Sequence, residues 1–121
     1  MTQEQTELLF KDLCGRLPYE VKVKIYNHWR DEYEYETLTL KNYQELIDTF
    51  CVEDIKPYLL PLSSMSEEQS KEYHELIGGM FGTSALINFE VLEDFFHKNH
   101  LDYRGLIPMR LANDATNLNI Y

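Results

Sequence analysis

Positive charge is scarce in this chain. Eleven Lys and Arg stand against 21 Asp and Glu, a formal net charge of −10. A field of that sign repels a DNA or RNA backbone, which disfavours general nucleic-acid binding. It leaves room for a small anionic ligand held by a local group of cations. It also suits a basic protein partner, beside plain solubility. Cysteine is scarcer still. Cys14 and Cys51 are isolated, form no CxxC pair and read as reduced core residues. Long apolar runs are missing: Leu8-Leu9-Phe10 and Tyr58-Leu59-Leu60 are far too short to cross a bilayer. The opening MTQEQTELLF lacks the basic and apolar regions of a signal peptide, so the expectation is a cytoplasmic protein. Catalytic motifs are missing as well. No GxSxG elbow surrounds Ser63 or Ser64, no HExxH occurs, and GGMFGTS (78–84) has no lysine where a phosphate loop needs one.

What the chain does have is enough to build a core. It runs to 121 residues, 44% hydrophobic and 13% aromatic, with nine tyrosines. One domain over 1–121 is expected, with a tail that turns irregular from about residue 110. Thr2 and Gln5 match a capping box and open a helix to Cys14, with Gly15 as its left-handed stop. EVKVKIYNHW (20–29) and YEYETLTL (33–40) both alternate, which predicts two strands of an antiparallel hairpin. Lys22 and Lys24 are then expected across from Glu34 and Glu36. Residues 43–52 carry both a helical spacing (Tyr43, Leu46, Ile47, Phe50) and a strand-like run. They are read as a third strand, because two strands alone are rarely stable.

Pro57 and Pro61 make residues 58–62 extended. Ser66-Glu67-Glu68-Gln69 is a second capping box and opens a helix of about 67–77, stopped by Gly78 and Gly79. A further helix begins near Leu86 or Asn88 and ends at Lys98. Phe89, Leu92 and Phe96 share one of its faces, and Asn99 is its left-handed stop. The fold class expected is α+β: a small antiparallel sheet with two or three packed helices.

Four groups of residues deserve a chemical reading. Glu93, His97 and His100 fall at i, i+4 and i+7, a spacing that can place three zinc ligands on one side of a helix. The fourth ligand is missing, and a solvated polar face is the simpler account. Asp31, Glu32, Glu34 and Glu36 lack the loop geometry of a calcium site and read as acids facing water. Ser63, Ser64 and the histidines have no triad spacing, so a hydrolase ranks last. Asp102-Tyr103-Arg104-Gly105 pairs a cation suited to phosphate with an aromatic ring suited to stacking, against the plainer reading of a structural turn. Lys56 and Arg110 are cations that would have to converge on Arg104. No cofactor is expected.

KDLCGRLPYEVKVKIY, IKPYLLPLSSMSEEQ and HLDYRGLIPMRLAND, in that order, resemble a family of small uncharacterised proteins. These are encoded by phages, prophages and mobile elements of gut Bacteroidales. The resemblance implies an accessory gene product, cytoplasmic in its bacterial host, that acts by binding and not by catalysis. It carries no catalytic residue or cofactor. Two functions follow as expectations. One is a counter-defence sponge, a homo-oligomer that sequesters a nucleotide of host immune signalling through Arg104, Tyr103, Lys56, Ser63 and Ser64. The other is an acidic inhibitor that blocks a host protein through Asp31, Glu32, Glu34 and Glu36.

Overall fold

Alternation in the first third of the chain becomes a hairpin. The computed structural model describes residues 1–82 and 89–121, with side chains described for 1–77 and 89–121. In β1 (Val21–Asn27), Val21, Val23 and Ile25 are buried, while Lys22, Lys24 and Tyr26 line the opposite face. β2 (Glu32–Leu38) runs antiparallel to it. The expected Lys–Glu register is wrong by one residue. Tyr35 stands opposite Lys24 and Thr37 opposite Lys22, whereas Glu34 and Glu36 oppose Ile25 and Val23. The turn sets this register: Asn27 Oδ1 accepts from the N–H groups of Trp29 and Arg30 at 3.0 and 3.2 Å, and Asp31 takes φ 49°. Shifting a strand by one residue moves every side chain to the other face.

The third strand is the proline segment, not residues 43–52. Tyr43–Thr49 is α2, a helix, followed by a short 3₁₀ turn at Val52–Asp54. The helical period wins because Tyr43, Leu46, Ile47 and Phe50 all pack against the main core. β3 (Ile55–Pro61) pairs with β1 only as far as Pro57, and then with two short strands from the last fifth of the chain, β5 (Asn113–Asp114) and β4 (Leu101–Asp102). The N–H that proline lacks thus falls where the partner strands change over. The sheet is mixed and mostly antiparallel, in the order β2-β1-β3-β4; β5 also pairs β3.

α1 (Gln3–Arg16) keeps the Thr2–Gln5 capping box but runs through Gly15. An added Cβ at Gly15 would lie 2.6 Å from His97 Cε1, so the glycine serves a close helix approach and not a stop. Ser66 and Gln69 exchange hydrogen bonds at the start of α3 (Glu67–Gly82), and Gly78 and Gly79 lie within that helix. α4 covers Phe89–Lys98; the expected start at Leu86 or Asn88 lies outside the described residues. Its left-handed stop is His100, φ 57°, because Asn99 uses its Nδ2 to donate back to the Phe95 carbonyl.

Two hydrophobic clusters result. Leu9, Leu13 and Leu17 pack on Val21, Val23, Ile25, Leu38, Ile55 and Leu59, and Phe95, Phe96 and Leu101 form a second group with Tyr73 and Met65 beside it. The architecture is α+β, with four helices among the described residues where two or three were expected. The tail is irregular apart from β5 and packs on the sheet: Leu111, Ala112 and Ala115 are buried, and the Tyr121 hydroxyl accepts from Lys22 N–H and donates to the Tyr58 carbonyl.

Candidate functional site

The residues picked from sequence as one ligand site are dispersed. Arg104 turns inward: its Nε lies 3.2 Å from Asp12 Oδ1 and its guanidinium stacks 4.7 Å from the Tyr103 ring centre. Tyr103 stacks on Phe96, and its hydroxyl meets His97 Nε2 at 2.9 Å. The DYRG turn is built by Asp102, whose two carboxylate oxygens accept from Leu106 and Ile107 N–H, with Gly105 at φ 75°. Ser63 and Ser64 sit in the exposed turn after β3, where Ser64 Oγ donates to the Pro61 carbonyl. Lys56 lies at the far end of the same strand, roughly 20 Å from them in extended chain. Arg110 is exposed, in a left-handed turn.

The metal spacing does not converge either. Glu93 is exposed, His97 is bound to Tyr103, and His100 stacks on Tyr121 with ring centres 3.6 Å apart. Among the described residues no three His, Cys, Asp or Glu side chains gather as a metal site would need. Cys51 is exposed and Cys14 only half-buried, so neither is the core residue expected. The acids of the hairpin have separate neighbours. Asp31 accepts from the Tyr26 hydroxyl, Glu32 lies 3.8 Å from Arg30, and Glu34 accepts from Asn27 Nδ2 at 3.4 Å. Glu36 is exposed on the edge strand.

What the fold does bring together is the open face of the sheet. Lys22, Lys24 and Tyr26 of β1 lie between Tyr33, Tyr35 and Thr37 of β2 and Lys56 and Tyr58 of β3. Helix α1 and the core cover the other face, so these side chains project towards solvent. Lys24 stands directly opposite Lys56 in the β1–β3 register. Like charges facing each other across two strands destabilise the pair. Among the described residues none of Lys22, Lys24 and Lys56 forms an ion pair with a carboxylate. The Lys24 ammonium rests instead over the Tyr33 ring, 4.2 Å from its centre, and 5.9 Å from that of Tyr35. Lys22 Nζ reaches Thr37 Oγ1 at 3.5 Å.

Two grooves flank the lysines. The larger, about 490 Å³, has walls of Tyr35, Tyr58, Leu118 and Ile120 beside Lys22. The smaller, about 290 Å³, holds Tyr26, Tyr33, Glu53, Asp54 and Asn113 around Lys24 and Lys56. Asp54 is engaged by His28 Nε2 at 2.9 Å. Asn113 Nδ2 is buried without a hydrogen-bond partner among the described residues. Burial raises the Tyr58 hydroxyl above its ordinary pKa, which keeps it a neutral donor at physiological pH.

Lys56 was singled out from sequence; the rest of this face was not. The signal was present in the alternation of KVKIY and YEYET, which puts the lysines on one side of their strand and the tyrosines on one side of theirs. Alternation alone leaves open whether tyrosine or glutamate of β2 shares the face of the lysines, and only the turn decides it. Comparison with protein-family models, curated proteins and solved structures finds no match.

Proposed function

We propose that the protein is a non-catalytic binding protein of a phage or mobile element, and that its ligand is a small anion bearing an aromatic ring, a nucleotide, bound on the lysine–tyrosine face. The facing of Lys24 and Lys56 carries this reading. A chain with 21 acids has ample carboxylates to pair with lysine, yet it sets two cations against each other on an open surface. An anion between them relieves the repulsion with charge-assisted hydrogen bonds. The tyrosines around them offer ring faces to a base. Sequestering a nucleotide of host immune signalling, the role suggested by the family resemblance, needs only such a face and no reactive group.

Isothermal titration of the protein with a nucleotide panel tests this, beside native mass spectrometry of the protein as purified. Lys56→Gln is expected to weaken binding at least tenfold while leaving the circular dichroism spectrum unchanged. Retained affinity in Lys56→Gln, or no nucleotide bound by the native protein, overturns the reading.

The edge strand supports a second reading, a protein inhibitor. Among the described residues nothing pairs with the outer edge of β2, which carries Glu32, Glu34 and Glu36, and Trp29 at the turn is 76% exposed. Reversing Glu34 and Glu36 to lysine would then slow association with a basic partner in a salt-dependent way. Unchanged association kinetics would remove the patch from consideration.

A further inference from the structure

The lysines of the open face stand between two unlike grooves, and a mononucleotide has only one base to offer. The two grooves share no lining residue. Lys22 borders the larger and Lys24 the smaller, two residues apart on one strand, as are Tyr35 and Tyr33 on the next. That offset is roughly 7 Å along a strand, a distance a sugar–phosphate link can cover. We infer that the face takes a dinucleotide, with its phosphate on the lysines, one base in each groove, and guanine in the smaller groove. This rests on the reading of the face as a nucleotide site.

The chemistry of each groove assigns its occupant. The larger groove presents the Tyr35 and Tyr58 rings and the aliphatic Leu118 and Ile120 of the tail, with Glu36 and Thr37 of β2 also in its lining. It grips a base by stacking and contact, which every base allows. The smaller groove is polar, and it contains carboxylates beside two lysines. A carboxylate there opposes a phosphate, so it needs another purpose. Asp54 is held by His28, whereas the exposed Glu53 has no hydrogen-bond partner among the described residues. A free carboxylate accepts two parallel N–H bonds from the adjacent N1–H and N2–H₂ of guanine. Adenine sets its N6–H₂ donor beside an acceptor and cannot make that pair. Asn113 lines the same groove with its Nδ2 buried and unpartnered, and a rotation of that side chain would turn the donor towards the guanine O6 acceptor. The Tyr26 and Tyr33 rings, 5.2 Å apart and edge-to-face, wall it.

Titration calorimetry of the full chain with GpA, ApA, GMP and AMP tests the inference, together with Leu118→Asp and Glu53→Gln. Leu118 is half-exposed and Glu53 exposed, so both variants keep the fold. GpA is expected to bind at least tenfold more tightly than GMP, and more tightly than ApA. Leu118→Asp is expected to bring GpA down to the level of GMP while GMP itself is unaffected. Glu53→Gln is expected to erase the difference between GpA and ApA. GpA no tighter than GMP overturns the dinucleotide. GpA and ApA equal on the native protein overturns the guanine assignment. Background binding by all four ligands overturns the nucleotide reading of the face itself.

Discussion

At the scale of single residues, Gly15 and two histidines carry the sharpest consequences. Glycine inside a helix costs about 0.5–1 kcal/mol relative to alanine, so Gly15→Ala should stabilise α1 if the site were open. It is not open: the new Cβ would meet the His97 ring at 2.6 Å, and that ring is buried and bound to Tyr103. Overpacking of this kind costs about 1–3 kcal/mol. Gly15→Ala is therefore expected to lower the urea midpoint with no change in slope; a raised midpoint would show that the ring moves aside freely. The same burial keeps histidine neutral. Burial, then the neighbouring Arg16 and Lys22, push His100 down to about 4, and burial also lowers His97. A group whose folded pKa lies below its unfolded value binds more protons when unfolded. Stability then rises with pH between about 4 and the unfolded histidine value near 6.5. Urea titrations at pH 7.5 and pH 5 should show a loss on acidification. His100→Asn, which tolerates the left-handed backbone, should make that loss shallower, and an unaltered pH slope would exclude His100 as a contributor.

At the scale of elements, the binding role proposed for the outer face of the sheet implies a cost in stability. Removing one of two facing like charges is worth about 0.2–1 kcal/mol, so Lys56→Gln should raise the melting temperature of the ligand-free protein while weakening binding. A lowered melting temperature would mean that Lys56 is held by the fold, and the repulsion argument would fail. The tail acts on the same strands. Tyr121→Phe removes the hydroxyl that joins Lys22 N–H to the Tyr58 carbonyl. The expected loss is about 1 kcal/mol, read as a lower urea midpoint. These elements were unequally legible. The β1–β2 hairpin and both capping boxes follow from local pattern, and the structure contains them. Residues 43–52 misled because helix and strand periods overlap in YQELIDTF, and only burial against the core decides between them. Gly15 looked like a stop because the sequence does not show the histidine packed against it, 82 residues later. Whether tyrosine or glutamate shares the face of Lys22 and Lys24 depended on the β1–β2 register, which one turn residue more or less would have reversed.

At the scale of the whole molecule, one buried cluster joins distant parts of the chain, and no pattern in the sequence announces it beyond the i, i+4 spacing of Asp12 and Arg16. Both side chains are fully buried. Arg16 Nε meets Asp12 Oδ2 at 2.8 Å, its Nη2 donates to the Leu101 carbonyl at 2.7 Å, and Arg104 reaches the other oxygen of Asp12. Helix α1, strand β4 and the DYRG turn are thus held through one carboxylate. This makes Arg104 a fold residue first, and Arg104→Ala should lower stability before it touches any ligand. Asp12→Ala is the stronger test. It leaves two inward-turned arginines without their counter-ion, and breaking a buried pair from one side costs about 3–5 kcal/mol. Part of that cost is the stranded charge of Arg16 and not the lost bond. A double variant, Asp12→Leu with Arg16→Met, removes both buried charges and leaves Arg104, already partly exposed, to reach water. It is expected to be more stable than Asp12→Ala or Arg16→Met alone in urea unfolding. Losses strictly additive over those of Asp12→Leu and Arg16→Met measured singly would mean that the two side chains act independently.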